Sequence, residues 1–89
     1  MACRHYYIAG QVQGVFFRAS TYDKARSLCL TGWVRNIPDG RVEAVACGDE
    51  EQLTLLEGWF NQGPPMSKVD TVDIVGETEI HVNSFEIRY

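Results

Sequence analysis

The stretch GQVQGVFFR, residues 10–18, holds the residues of this sequence best suited to chemistry. Its glycines let the backbone turn inward, so that successive N–H groups of Gln13, Gly14, Val15, Phe16, Phe17 and Arg18 can point at one spot. Such a nest binds an anion, the more so where a helix begins and adds the positive end of its dipole. Arg18 sharpens the reading. A cation in the first helical turn opposes that dipole, and an anion held between the N–H groups and the guanidinium resolves the conflict. The alternative is a solvated arginine beside a tight glycine turn. The spacing fits neither GxxxxGK[ST] nor GxGxxG, so nucleotide-loop motifs do not apply.

Asn36 is the second residue of interest, at the end of a short strand just before the turn IPDG. Taken alone, it fits a turn asparagine bonding its own backbone better than a catalytic group. The remaining polar residues offer less. Ser20 and Thr21 read as exposed early-helix residues, since no histidine is paired with either. His5 reads as a satisfied strand residue, and Asp49–Glu51 as helix-start electrostatics. Arg35 and Arg41 read as hairpin surface charge. Trp33, Trp59 and Phe60 read as core or core-edge. No general base stands out. Cys3, Cys29 and Cys47 form no C-x-x-C motif, and neither His5 nor His81 joins them at ligand spacing, so neither a metal nor a cofactor is expected.

These residues need a scaffold to bring them together. Residues 3–10 alternate as a half-buried strand, with Tyr6 and Ile8 opposed to His5 and Tyr7. A helix is expected from about Arg18 to Leu30, with Tyr22, Ala25, Leu28 and Cys29 inward and Gly32 as its stop. Trp33–Asn36 and Arg41–Cys47 read as a hairpin around IPDG. A second helix begins at Asp49, with Gln52 completing a capping box, and carries Leu53, Leu56, Trp59 and Phe60 to a stop at Gly63-Pro64-Pro65. Val69–Val75 and Ser84–Tyr89 are the last strands, joined by a polar stretch from Gly76. The order predicts an α+β, ferredoxin-like split-βαβ domain over 1–89: βαββαβ plus a C-terminal strand, one mostly antiparallel sheet with two helices on one face. The first and second strands then run parallel, so Asn36 approaches the 10–18 loop.

Composition narrows the function. The apolar fraction is 45% with 22% charged, which argues against disorder and against a coiled coil. No apolar run could span a bilayer, and MACRHYYIAG lacks a signal segment, so a soluble intracellular protein is expected. A net charge of −4 disfavours nucleic acid. Its distribution is uneven: residues 1–41 carry six basic residues against Asp23 and Asp39, while residues 42–89 carry Lys68 and Arg88 against ten acids. A locally basic first half can focus a small anion, although charge alone does not decide the matter.

Two segments together resemble a known family. GQVQGVFFR (10–18) and GWVRNIPDGRVE (32–43) are similar to the two signatures of the acylphosphatases, and the similarity runs on to SFEIRY near the end of the chain. The resemblance implies metal-independent hydrolysis of a carboxyl-phosphate anhydride to a carboxylate and inorganic phosphate. It implies that Arg18 and the backbone of Gln13–Arg18 hold the phosphoryl group and that Asn36 orients water. The expected molecule is a cytoplasmic monomer acting on a small acyl phosphate, inhibited by phosphate or sulfate-like anions, with no nucleic-acid or membrane partner. Two other readings remain open: a non-catalytic phosphate-binding module and a ferredoxin-like RNA-binding domain.

Strand parity adds one structural expectation. In the split-βαβ arrangement, the first and third strands are antiparallel neighbours. Cys3 starts one and Cys47 ends the other, both on the face opposite the apolar sets. The two can approach disulfide distance, with Cys29 left free. An intracellular redox poise favours the reduced pair, and mild oxidation is expected to link it.

Overall fold

The computed structural model describes residues 2–77 and 82–88. Along the chain it runs β1 (Ala2–Gln11), α1 (Phe17–Ser27), β2 (Thr31–Asn36), β3 (Val42–Gly48), α2 (Glu50–Gln62), β4 (Lys68–Glu77) and β5 (Phe85–Arg88). The strands form one sheet in the order β4-β1-β3-β2-β5. Every pairing is antiparallel except that of β2 with β5. The βαββαβ order with an added strand is the expected one. Tyr89, assigned to the last strand from sequence, and residues 78–81 of the polar connection lie outside the described residues.

The period-two alternation of the strands builds the core on one face of the sheet. Tyr6 and Ile8 of β1, Val34 of β2, and Val42, Ala44 and Ala46 of β3 are buried there. Phe17 and Ala25 of α1 and Leu53, Leu56 and Phe60 of α2 pack onto them. Glu57 of α2 ties this helix to β1 by accepting from Arg4 Nη1 (2.6 Å) and from the Tyr6 hydroxyl (2.7 Å). Burial first, and the Glu57 bond second, push the Tyr6 hydroxyl above its ordinary pKa.

The two helices depart from the sequence reading in four details. The first concerns the end of α1, which stops at Ser27, before Gly32 is reached. Cys29 takes the left-handed conformation (φ 59°), and the Leu30 and Cys29 N–H groups donate to the Ala25 and Arg26 carbonyls, which is a Schellman termination. Burial of Leu30 against the core favours this ending over a longer helix. Gly32 instead lies within β2 at φ 140°, where a Cβ would sit 1.9 Å from the Val45 carbonyl oxygen, so its role is close strand approach. The second concerns Thr21, which is fully buried where exposure was expected. The buried stripe is Phe17, Thr21 and Ala25 at i, i+4 and i+8. The third concerns Cys29, which was expected on the inner face and is exposed beyond the helix end. The fourth is the absence of the Asp49 capping box: Asp49 is exposed and makes no side-chain capping bond. Glu50 and Glu51 still place negative charge in the first turn of α2, where the dipole favours it.

The open face of the sheet is also different in one respect. Trp33 is not a core residue, because alternation along β2 puts it opposite the buried Val34. There the Arg35 and Arg88 guanidiniums lie 5.3 and 5.1 Å from its ring centroid. Beside it the buried Glu43 carboxylate accepts from Arg35 Nε (2.6 Å) and the Tyr7 hydroxyl (2.9 Å), with His5 Nε2 at 2.7 Å. On the same face Cys3 and Cys47 are directly opposed in the β1–β3 register and disulfide-bonded.

Candidate active site

Topology decides which residues can meet. β1 and β2 are both antiparallel to β3, and β5 is parallel to β2, so β1, β2 and β5 all end at one edge of the sheet. The loop after β1, Asn36 at the end of β2, and Arg88 at the end of β5 therefore converge. Between them lies a cleft of about 260 Å³ lined by Val12, Gly14, Phe16, Phe17, Arg18, Ala19, Asn36 and Ile87. The structure thus brings Arg18 and Asn36 together. Cys3 and Cys47 lie at the opposite edge, at the start of β1 and the end of β3.

The loop itself has the geometry of a nest. Gly14 (φ 74°) and Phe16 (φ 64°) are both left-handed and flank Val15. Alternating handedness curls successive N–H groups toward one side of the chain. Phe16 is the N-cap of α1 and makes no side-chain capping bond, and no acidic residue occupies the first turn. The leading N–H groups of a helix have no intrahelical acceptor, so this helix start presents donors and a positive dipole end to the cleft. Phe17 anchors it: only 1% exposed, its ring lies 6.1 Å from Phe60 and 5.6 Å from Trp59 on α2.

Two side chains set the cleft's polarity. Arg18 Nη1 donates to the Arg88 carbonyl at 3.4 Å, which holds the guanidinium between α1 and the end of β5. Asn36 Oδ1 is buried and has no hydrogen-bond partner among the described residues. A buried acceptor left in that state is costly unless a ligand or water serves it.

Gln13 has a role that sequence reasoning missed. Its side-chain Nε2 donates to the carbonyls of Ile37 (2.8 Å) and Arg41 (2.9 Å), joining the loop to the β2–β3 turn. A signal for it exists, since the parallel course of β1 and β2 already brings that turn beside the loop. Ile87 as a cleft wall was missed as well. Its place follows from the β5 pairing opposite Val34.

Comparison with known proteins identifies the family. The Acylphosphatase family model matches residues 4–87. The chain belongs to the acylphosphatase family. It is 52% identical over 85 residues to the acylphosphatase of Acaryochloris marina, a match covering 96% of this chain and 91% of the relative. Among solved structures, the acylphosphatase from Coxiella burnetii superposes with a TM-score of 0.91 at 42% identity, covering 98% of this chain and 92% of its own. That from Bacillus subtilis gives 0.94 at 35% identity, with both chains fully covered.

An acylphosphatase must bind a phosphoryl group and bring water to phosphorus, and the cleft offers means for both. Its donors are backbone N–H groups and a guanidinium fork, its free acceptor is an amide oxygen, and its remaining walls are apolar. Among the described residues, no group of three or more His, Cys, Asp or Glu side chains could hold a metal ion. Nor is any helix among them long and apolar enough to cross a membrane.

Proposed function

We propose that this acylphosphatase hydrolyses small acyl phosphates in the Arg18–Asn36 cleft. Arg18 and the N–H groups of residues 13–18 hold the phosphoryl oxygens, and Asn36 Oδ1 orients the attacking water by accepting one of its hydrogens. The water oxygen bonds to phosphorus as the bond from phosphorus to the acyl oxygen breaks. The carboxylate leaves, and the water's proton passes to a phosphoryl oxygen. Carboxylate is a weak base and needs no general acid, which agrees with a cleft that offers none.

The observation that carries this reading is the buried, unpartnered Asn36 Oδ1 in the same cleft as Arg18. In a phosphoryl transition state, charge spreads over three equatorial oxygens. Positioned donors can then supply most of the catalysis. A planar guanidinium serves two such oxygens at once, which lysine cannot do. Catalysis in this scheme needs neither metal nor cofactor, and inorganic phosphate or a sulfate-like anion competes for the same donors. We further propose a cytoplasmic monomer with no nucleic-acid or membrane partner.

Benzoyl phosphate turnover by Arg18→Ala and Arg18→Lys tests the proposal. Both variants should lose turnover and phosphate inhibition together, and the parent should keep full activity after exhaustive chelation. Parental turnover in Arg18→Ala would move the reaction elsewhere.

A further inference from the structure

Phe16 carries two unfavourable features, of which the left-handed backbone serves the anion nest and the exposed ring has no part in it. It is 78% exposed, so its ring packs against little of the protein. It also holds a left-handed backbone (φ 64°, ψ 22°), a conformation that a bulky side chain rarely adopts and that glycine or asparagine takes more readily. Both features fall at the N-cap of α1, two residues from Arg18 and on the wall of the cleft. Strain concentrated beside a site points to function.

The shape of the substrate says what that function is. An acyl phosphate has one anionic end and one carbon end. Arg18 and the loop N–H groups account for the first. The cleft has room beyond it: at ~30 Å³ per water, 260 Å³ equals on the order of nine waters, more than a four-atom phosphoryl group fills. The remaining side-chain walls, Val12, Phe16, Phe17, Ala19 and Ile87, are apolar, and Phe17 is buried. Of these, Phe16 is the large ring with a free face.

We infer that Phe16 is a specificity-determining residue: its ring packs on the acyl group and favours aromatic or bulky apolar acyl phosphates over small ones. The inference rests on reading the cleft as the acyl-phosphate site. Phe16 lines the cleft with its ring largely exposed, so the ring can meet the acyl group while the loop N–H groups meet the phosphoryl oxygens.

The test is the ratio of kcat/KM for benzoyl phosphate to that for acetyl phosphate, measured in the parent, Phe16→Asn and Phe16→Trp. Asparagine tolerates the left-handed backbone and removes the ring, whereas tryptophan keeps an aromatic face. Phe16→Asn should lower the ratio by about tenfold, and Phe16→Trp should keep it near the parental value. An unchanged ratio in Phe16→Asn overturns the inference. So does an equal loss on both substrates accompanied by weakened phosphate inhibition, which would make Phe16 a loop-shaping residue only. Neither result touches the Arg18 assignment, which fails separately if Arg18→Ala keeps parental turnover on both substrates.

Discussion

Gln13 and Ile37, 24 residues apart in the chain, are joined by a 2.8 Å hydrogen bond from the Gln13 Nε2 to the Ile37 carbonyl. The same nitrogen donates to Arg41, on the other side of the turn. The bridge constrains the distance between the loop after β1 and Asn36, which immediately precedes Ile37. In-line attack is sensitive to that distance, and a displacement of ~1 Å can cost on the order of a hundredfold in rate.

Gln13 should therefore act as a positioning residue, with its removal felt in kcat. Gln13→Ala should lower kcat on benzoyl phosphate by ~10- to 100-fold while phosphate inhibition changes much less. Gln13→Glu should do worse, because it turns an acceptor-only carboxylate toward two carbonyl oxygens. Parental kcat in Gln13→Ala, or a change confined to KM, would refute the positioning role.

The Cys3–Cys47 bridge should act on stability alone. It closes a separation of 44 residues, for which the chain-entropy model gives ~4 kcal/mol. In a domain of this size that corresponds to a Tm shift on the order of 15–30 °C. The bridge lies at the sheet edge opposite the cleft, so kcat should not follow. Thermal melts with and without a thiol reductant, and of Cys3→Ser, check this. An unchanged Tm, or a kcat that falls in the folded reduced protein, would contradict it.

Glu43 should make stability depend on pH in one direction. Burial disfavours its charge, but the bonds from Arg35, His5 and Tyr7 outweigh that cost and hold the carboxyl below its ordinary pKa. Such a group stabilises the fold above the unfolded glutamate pKa of ~4.3, and the contribution is lost as pH falls through the lower folded value. Glu43→Gln should be less stable than the parent at pH 7 by ~1–3 kcal/mol. The gap should close in acid. Denaturant melts at several pH values between 7 and 3 would show it, and a gap that widens in acid would be inconsistent with the network.

Much of this was legible in the sequence, and the limits have physical causes. Alternation in residues 3–10 placed Tyr6 and Ile8 inward, because a half-buried sheet imposes that period. The same parity set Cys3 against Cys47. The parallel course of β1 and β2 brought Asn36 toward Arg18. Trp33 was misplaced because its size suggested the core while its parity put it on the open face, where arginines from β2 and β5 cover it. The end of α1 was missed because Cys29 adopts a conformation usually left to glycine, with Leu30 burial favouring it. Gln13's bridge and the exposed, left-handed Phe16 are tertiary features of the loop, and local propensity carries no sign of either.

Asn36 should serve the attacking water while Arg18 and the loop hold the phosphoryl group. Steady-state kinetics of Asn36→Ala on benzoyl phosphate, with inorganic phosphate as inhibitor, separates the two roles in one experiment. The expected result is a kcat lowered by about 10²- to 10³-fold with phosphate inhibition close to that of the parent. A parental kcat, or a loss of phosphate binding as large as the loss of turnover, would contradict it.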